Sequence, residues 1–393
     1  MKVIRVGLIG TGYMGKAHAI AFKTAPAVFP LSAKLVCEMV AEVDADIAAE
    51  KAEELGFNRS TGDWQQLVND PDIDVVDICS PNYLHKKMAL AAIAAGKHVY
   101  SEKPLALNAA DALEMTLAAE KAGVKTLVGF NYAKNPTLQL AKEIIEQGEL
   151  GDIVHFRGTF NEDYLADANT PFSWRLKRQF SGSGALGDLG SHIINLAQYL
   201  IAPINELCAD SQTVHVNRPL NGQPDQYDTV ENDDQMHMML RFANGAIGTI
   251  ESSRIAWGRK NSLWFEINGT KGSLIYDQER LSELQLFKPE GPSDRHGFKR
   301  ILTGPEHPDY QHFCVSAGHG LGYNDMKTVE VRDLVEGLAG NKPLWPDFRA
   351  AYSVNVILDA AEQSCKDRCW ITVDRDAQVL PKNNKKSVQS SDQ

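Results

Sequence analysis

Over roughly the first 130 residues, short apolar runs alternate with alanine-rich stretches of helical spacing, and few folds accommodate that order. Val3–Gly10, Lys34–Val40, Val75–Ser80, His98–Tyr100 and Lys125–Phe130 read as strands buried on both faces. Between them Ala17–Thr24, Ala45–Leu55, Lys86–Ala95 and Ala109–Ala122 read as helices. Three of these run into Gly56, Gly96 and Gly123, the residue type that stops a helix in the left-handed region. Strand–helix alternation at this spacing implies right-handed crossovers and a parallel, doubly wound sheet of the Rossmann type, an α/β fold.

Beyond about residue 150 the pattern changes. Gln235–Phe242 places Met236, Met238, Leu240 and Phe242 on one face and Gln235, His237 and Arg241 on the other. Asn244-Gly245 then turns the chain into Ala246–Ile255, the signature of a hairpin. Leu263–Asn268 and Ser273–Asp277 repeat the arrangement. A second, α+β domain with a large, mostly antiparallel sheet follows, covered by helices at Thr137–Gln147, Gly190–Leu200, Thr328–Leu338 and Phe348–Lys366. The expected division is a nucleotide-binding domain over 1–131, a substrate-binding and oligomerisation domain over 132–375, and a polar, disordered tail over 376–393.

The chain has 393 residues with 40 Lys plus Arg against 51 Asp plus Glu, a net charge of −11. No cluster of basic side chains suits nucleic acid. No apolar run reaches the ~20 residues that cross a bilayer, and the N-terminus reads as a strand rather than a leader. Six scattered cysteines lack metal or redox spacing and read as reduced thiols of a cytoplasmic protein. No metal-binding spacing of His, Cys or carboxylates occurs, so no metal is expected.

Directly after the first strand stands Gly10-Thr11-Gly12-Tyr13-Met14-Gly15. Gly10 makes the tight turn, Gly12 admits a pyrophosphate to the backbone, and Gly15 lets helix and strand pack closely. Free amides at the helix start would then bind the phosphates. Glu42, 30 positions past Gly12, suits the ribose hydroxyls. The usual spacing is ~20, and the excess fits an inserted loop, Thr24–Ser32, carrying Pro26 and Pro30. A carboxylate there repels a 2′-phosphate and the next residue is Val43, so NAD is expected over NADP; Asp44 is an alternative ribose partner. His18, one turn past the fingerprint, reads as a packing or capping residue.

Three further stretches, Ser80-Pro81-Asn82-Tyr83-Leu84-His85, Glu102-Lys103-Pro104 and the glycine-rich run Gly182–His192, complete the set. If the bound dinucleotide takes a hydride from an alcohol, a base must take the hydroxyl proton, and these stretches offer two candidates for it. Lys103 sits at a strand's carboxyl end, where ligands collect in open α/β sheets, and desolvation there favours its neutral amine. His192 is the other candidate base, a residue type that titrates near neutrality. Asp188, four residues earlier, shares its face and suits orienting the imidazole or binding a hydroxyl.

In order and spacing, these stretches resemble the glucose–fructose oxidoreductase, inositol dehydrogenase and rhizopine-catabolism family over Met1 to about Val373. Gly129-Phe130-Asn131-Tyr132 and Leu321-Gly322-Tyr323 are similar to its levoglucosan-oxidising branch. The resemblance implies a catalytic set of Lys103, Asp188 and His192, with Lys103 or His192 as base. It implies Gly10, Thr11, Gly12, Tyr13, Met14, Gly15, Glu42, Ser80, Pro81, Asn82, His85, Glu102 and Lys103 around the cofactor, with Asn82 and His85 near the nicotinamide ribose. Expected substrate contacts are Lys103, Asn131, Tyr132, Asn161, Asp163, Trp174, Arg175, Asp188, His192 and Tyr323, with Tyr164 and His319 as further polar candidates. Trp174-Arg175 suits an aromatic platform with a polar partner, or equally a core tryptophan and an acid's structural partner. Two departures stand out: Asn195 where the family often has an acid, and Ser183 within the glycine triplet. The resemblance implies an NAD-dependent dehydrogenase oxidising a secondary hydroxyl of a cyclic sugar, at the pyranose C3 type of position, to a ketone. Alternatives are a myo-inositol-type cyclitol dehydrogenase and an NAD-dependent glycosidase that oxidises transiently. It also implies a homodimer or homotetramer built through the second sheet.

Overall fold

The computed structural model describes residues 1–340 and 342–373. The expected polar tail and residues 374–375 lie outside the described residues. Six parallel strands form the first sheet: β1 (Lys2–Ile9), β2 (Ala33–Ala41), β3 (Arg59–Thr61), β4 (Val75–Ile78), β5 (His98–Ser101) and β6 (Thr126–Val128). Their order, β3-β2-β1-β4-β5-β6, reverses direction between β1 and β4. Helices α1 (Tyr13–Val28), α2 (Ala45–Leu55), α3 (Trp64–Asn69), α4 (Asn82–Ala94) and α5 (Ala109–Ala122) make the crossovers. The central strands are apolar on both faces, as with Val6, Leu8 and Ile9 in β1 and Val75, Val76 and Ile78 in β4, all buried.

The inserted loop after the first helix is largely helix instead. α1 runs on to Val28 with Pro26 inside it. Pro26 sits in the last turn, where its missing amide costs one bond, and burial of Phe22, Ala25 and Phe29 holds the segment in place.

After α6 (Pro136–Glu146) and β7 (Ile153–Asn161), the one-turn helix α7 (Arg178–Ser181) and α8 (Ser191–Leu200) lead into the second sheet. Its strands are β8 (Ile204–Gln212), β11 (Gln235–Phe242), β12 (Ile247–Ser253), β13 (Ser262–Gly269), β14 (Ser273–Asp277), β15 (Glu283–Phe287), β16 (Lys299–Leu302) and β17 (Ile371–Thr372), with β7 among them. A separate hairpin is formed by β9 (Asn217–Leu220) and β10 (Gln223–Thr229). The nine-stranded order is β16-β15-β14-β13-β7-β12-β11-β8-β17. Only β7 and β12 pair in parallel. The expected hairpin is present, with Met236, Met238, Leu240 and Phe242 buried.

The last helices are α9 (Tyr310–Phe313), α10 (Tyr323–Ala339) and α11 (Phe348–Asp367). They do not simply cover the second sheet. α10 packs on α1, and its Val331, Leu334, Val335 and Leu338 join Ile4, Val6 and Leu8 in one core cluster. α11 lies between α5 and β8. The chain's last third therefore closes an apolar face of the first sheet that its own crossovers leave open.

Candidate active site

The reversal of strand order between β1 and β4 opens a crevice at the strands' carboxyl ends, and a cavity of about 1340 Å³ lies there. Gly10, with φ +88°, turns the chain out of β1 and leaves α1 to start at Tyr13. A Cβ on Gly15 would stand 2.0 Å from the Gly10 carbonyl oxygen, so helix and turn meet at a contact only glycine permits. A Cβ on Gly12 would meet nothing within 4 Å and would point into open space. No side chain caps the first amides of α1, which leaves them for an anion.

Glu42 follows β2 directly, beside this turn. Its Oε1 accepts from the Thr11 amide and hydroxyl, both at 2.6 Å, and Val43 beside it is exposed. Asp44 is engaged elsewhere, capping α2 through Asp46 and Ile47 amides, so Glu42 is the carboxylate facing the turn. An uncapped helix start, a glycine with free space before it, and one carboxylate with no adjoining cation fit NAD.

Of the residues expected around the cofactor, all but the tightly packed Gly15 line the cavity. His85 is buried with its ring nitrogens 3.0 Å from the Pro104 carbonyl and 2.9 Å from that of Ser80, clamping two loops together. Asn82 donates to the Ser181 carbonyl at 3.1 Å, tying α4 to the second sheet's loops.

The catalytic candidates meet in the same cavity. Lys103, just past β5, donates from Nζ to Asp188 Oδ1 at 2.8 Å and to the Asp188 carbonyl at 2.9 Å. The Tyr164 hydroxyl donates to Asp188 Oδ2 at 2.8 Å. Burial would raise the Asp188 carboxyl, but the Lys103 charge and these hydrogen bonds outweigh it and hold it below the usual range. Asp188 lies on a π-helical turn, Leu186–Gly190, that runs straight into α8. That turn is held from below: buried Asp233 accepts from the Gly184 amide at 2.7 Å and the Leu186 amide at 2.8 Å.

His192 departs from the expectation of a group titrating near neutrality. Its ring packs among Phe130, Tyr132 and Phe160, with centroids 5.6, 4.7 and 5.8 Å away. Burial first, and the Lys103 charge second, push its imidazole well below the usual range. At neutral pH it is an uncharged ring, and its Nδ1 is buried without a hydrogen-bond partner.

Beneath Lys103 runs a buried charge network. His18 is fully buried, 2.9 Å from Asp77 through Nδ1 and 2.9 Å from Glu102 through Nε2. Lys327 of α10 donates to Glu102 at 2.8 Å and Glu330 at 2.9 Å. Burial would raise Glu102, but Lys327 and His18 keep it well below the carboxylate range. The Lys103 amide donates to Glu102 Oε2 at 3.1 Å, so the network anchors the backbone that presents Lys103. His18, Asp77 and Cys79 are close enough to share an ion, yet their polar atoms already serve this network.

Around the remaining space stand Tyr132, Trp174, Arg175 and Tyr323. The Arg175 guanidinium lies 4.6 Å over the Trp174 ring, so these two form a platform at the cavity rather than core. Three expected substrate residues are not among the lining residues. Asn131 is buried with neither amide atom partnered. Asn161 turns to the opposite face of β7 and donates to Glu251 at 2.8 Å. Asp163 accepts from the Gly258 amide and Lys260 at 3.0 and 2.6 Å. His319 also lies off the lining. Residues the sequence reading missed are Glu162, Arg254, Lys260 and Asn261. Strand alternation reaches the first of these: Phe156, Gly158 and Phe160 face inward along β7, so Glu162 does too.

A dinucleotide crevice facing a lysine–aspartate–histidine cluster defines a nucleotide-dependent oxidoreductase. Residues 4–130 match the oxidoreductase family with an NAD-binding Rossmann fold, and residues 138–275 match the GFO/IDH/MocA C-terminal domain. The chain belongs to the GFO/IDH/MocA oxidoreductase family. It is 40% identical to the levoglucosan dehydrogenase of Pseudarthrobacter phenanthrenivorans, over 95% of this chain and 99% of that protein. A solved levoglucosan dehydrogenase in complex with NADH and levoglucosan superposes with a TM-score of 0.92 at 40% identity, covering 96% of this chain and all of that one. An NAD binding oxidoreductase from Klebsiella pneumoniae gives 0.91 at 45% identity, over 95% of this chain and 99% of its own. No described helix is long and apolar enough to cross a membrane.

Proposed function

We propose that the protein is an NAD-dependent dehydrogenase that oxidises one secondary hydroxyl of a cyclic sugar, of the levoglucosan or pyranose type, to a ketone. The observation that carries this reading is the Lys103–Asp188 contact at 2.8 Å with His192 in the same cavity as the glycine turn. The first sheet and its loops hold the nucleotide, and the second domain supplies the sugar's side of the cavity. Bound NAD supplies the hydride acceptor. With its Nζ in the neutral amine form, Lys103 takes the hydroxyl proton as the carbon-bound hydrogen leaves with its electron pair and the carbon–oxygen double bond forms. Asp188 orients Nζ, and the uncharged His192 ring hydrogen-bonds the same oxygen. Similarity to levoglucosan dehydrogenases supports the substrate class. Against a cyclitol, Asn195 is buried off the cavity lining and offers no charge there.

The working form is a homodimer or homotetramer built through the outer face of the nine-stranded sheet. Six free cysteines suit a reducing cytoplasm.

The test is NAD reduction, followed by near-ultraviolet absorbance, with levoglucosan, glucose, glucosides, myo-inositol and scyllo-inositol. Turnover with a pyranose or anhydro-sugar is expected. A Lys103→Ala variant should lose ~10²–10⁴-fold in rate while still binding NADH. Silence across the panel with NADH tightly bound would favour the glycosidase reading.

A further inference from the structure

Glu162 stands in the cavity wall with a carboxylate that no described residue engages by hydrogen bond or ion pair. Its backbone is fixed on both sides: its amide donates to the Ser253 carbonyl at 2.8 Å, and its carbonyl accepts from the Ala256 amide at 2.9 Å. The side chain therefore projects into the cavity from a rigid strand end. Its neighbour Asp163 turns away and occupies Lys260, so that cation does not neutralise Glu162.

Three charged groups act on Glu162: Asp188 from the π-helical turn, Lys103 from just past β5, and Asp163, the next residue along the chain, although its own side chain turns away. Tyr132 and Tyr164 flank it; burial chiefly, and the Glu162 charge in part, raise both phenols. Burial, then repulsion from Asp188, push the Glu162 carboxyl up to about 7. Aromatic rings beside an unpartnered carboxylate match a sugar's own surface, in which C–H faces alternate with hydroxyls.

We propose that Glu162 is a substrate-contacting residue that accepts a hydrogen bond from a sugar hydroxyl away from the reacting carbon and so sets specificity for neutral polyhydroxylated substrates. The inference rests on the sugar dehydrogenase reading above. With the Asp188 charge paired to Lys103, Glu162 is the carboxylate on the sugar's side without a cation of its own, and it disfavours a sugar acid. The ionised carboxylate is the stronger acceptor, so sugar affinity rises as pH rises through about 7.

The test measures affinity apart from turnover. Levoglucosan, glucose, myo-inositol and glucuronate are titrated into the NADH-loaded protein by calorimetry from pH 5.5 to 8.5, for wild type, Glu162→Gln and Glu162→Ala. In wild type the neutral sugars should bind more tightly above pH 7. Glu162→Gln should flatten that profile and narrow the discrimination against glucuronate. Glu162→Ala should weaken neutral-sugar binding by about tenfold or more, with the loss in steady-state assays on KM more than kcat. NADH affinity, measured in parallel, reports that the fold is intact. An unchanged pH profile in Glu162→Gln would overturn the proposal, as would a loss confined to kcat. Should wild type bind neutral sugars with this profile and reduce no NAD, the dehydrogenase reading fails while the contact stands. Should it bind no sugar at all, both fall.

Discussion

Holding a carboxyl in the wall at Glu162 also has a consequence for stability, and its sign follows from proton linkage. The folded carboxyl sits near 7 against 4.5 when unfolded. Below 4.5 both states are protonated and the residue is neutral to folding. As pH rises from about 4.5 to 7 the unfolded chain loses its proton while the folded one keeps it, so stability falls, by up to about 3 kcal/mol, and stays lower above 7. Glu162→Gln should therefore raise the Tm of the free protein at pH 8 and leave it nearly unchanged at pH 4.5; an equal shift at both would refute the assignment. At this scale the sequence was legible wherever the backbone dictates a residue. Gly10, Gly12 and Gly15 are required by a turn, a free space and a 2.0 Å approach. Asn161 and Glu162 were not legible, because which of two adjacent polar residues faces the cavity depends on strand register, and β7 was not recognised as a strand.

The strands most visible in sequence, β1, β4 and β5, are largely buried on both faces, where the run is mostly apolar. β3 has three residues, Arg59–Thr61, and sits at the sheet edge, so it carries no run to read. β7 mixes Arg157, Gly158 and Thr159 into its centre because one face is polar and the other packs on α8. The glycine-rich turn into α8 was located from sequence but its support was not, since Asp233 is remote in the chain. That support makes a sharp prediction. A Cβ at Gly184 would lie 1.9 Å from the Asp233 carbonyl oxygen and 2.9 Å from the Arg254 guanidinium. Gly184→Ala must displace the turn, costing about 1–3 kcal/mol and moving Asp188 and His192 together. Thermal unfolding and the rate of NAD reduction should both fall. An alanine variant with native Tm and rate would mean that the turn is not fixed by this contact.

Across the whole molecule, the nine-stranded sheet is covered by helices on one face only. On the other, Met239 and Ile247 are exposed beside the Arg157–Glu266 and Arg241–Glu206 pairs, a mixed apolar and charged surface that would form the interface of the proposed oligomer. Size-exclusion chromatography should place the protein at a multiple of 43.3 kDa; a single peak at the monomer mass would remove the oligomer from the account. The strand patterns in the sequence captured both sheets but not the exchange of helices between them. Local periodicity shows that α10 is a helix with an apolar face, and cannot show which sheet receives it. Lys327 makes that exchange matter to the order of synthesis. A growing chain completes His18, Asp77 and Glu102 early and Lys327 near its end. The buried network under the nucleotide-binding half is therefore completed only by a cation encoded more than 200 residues downstream of Glu102.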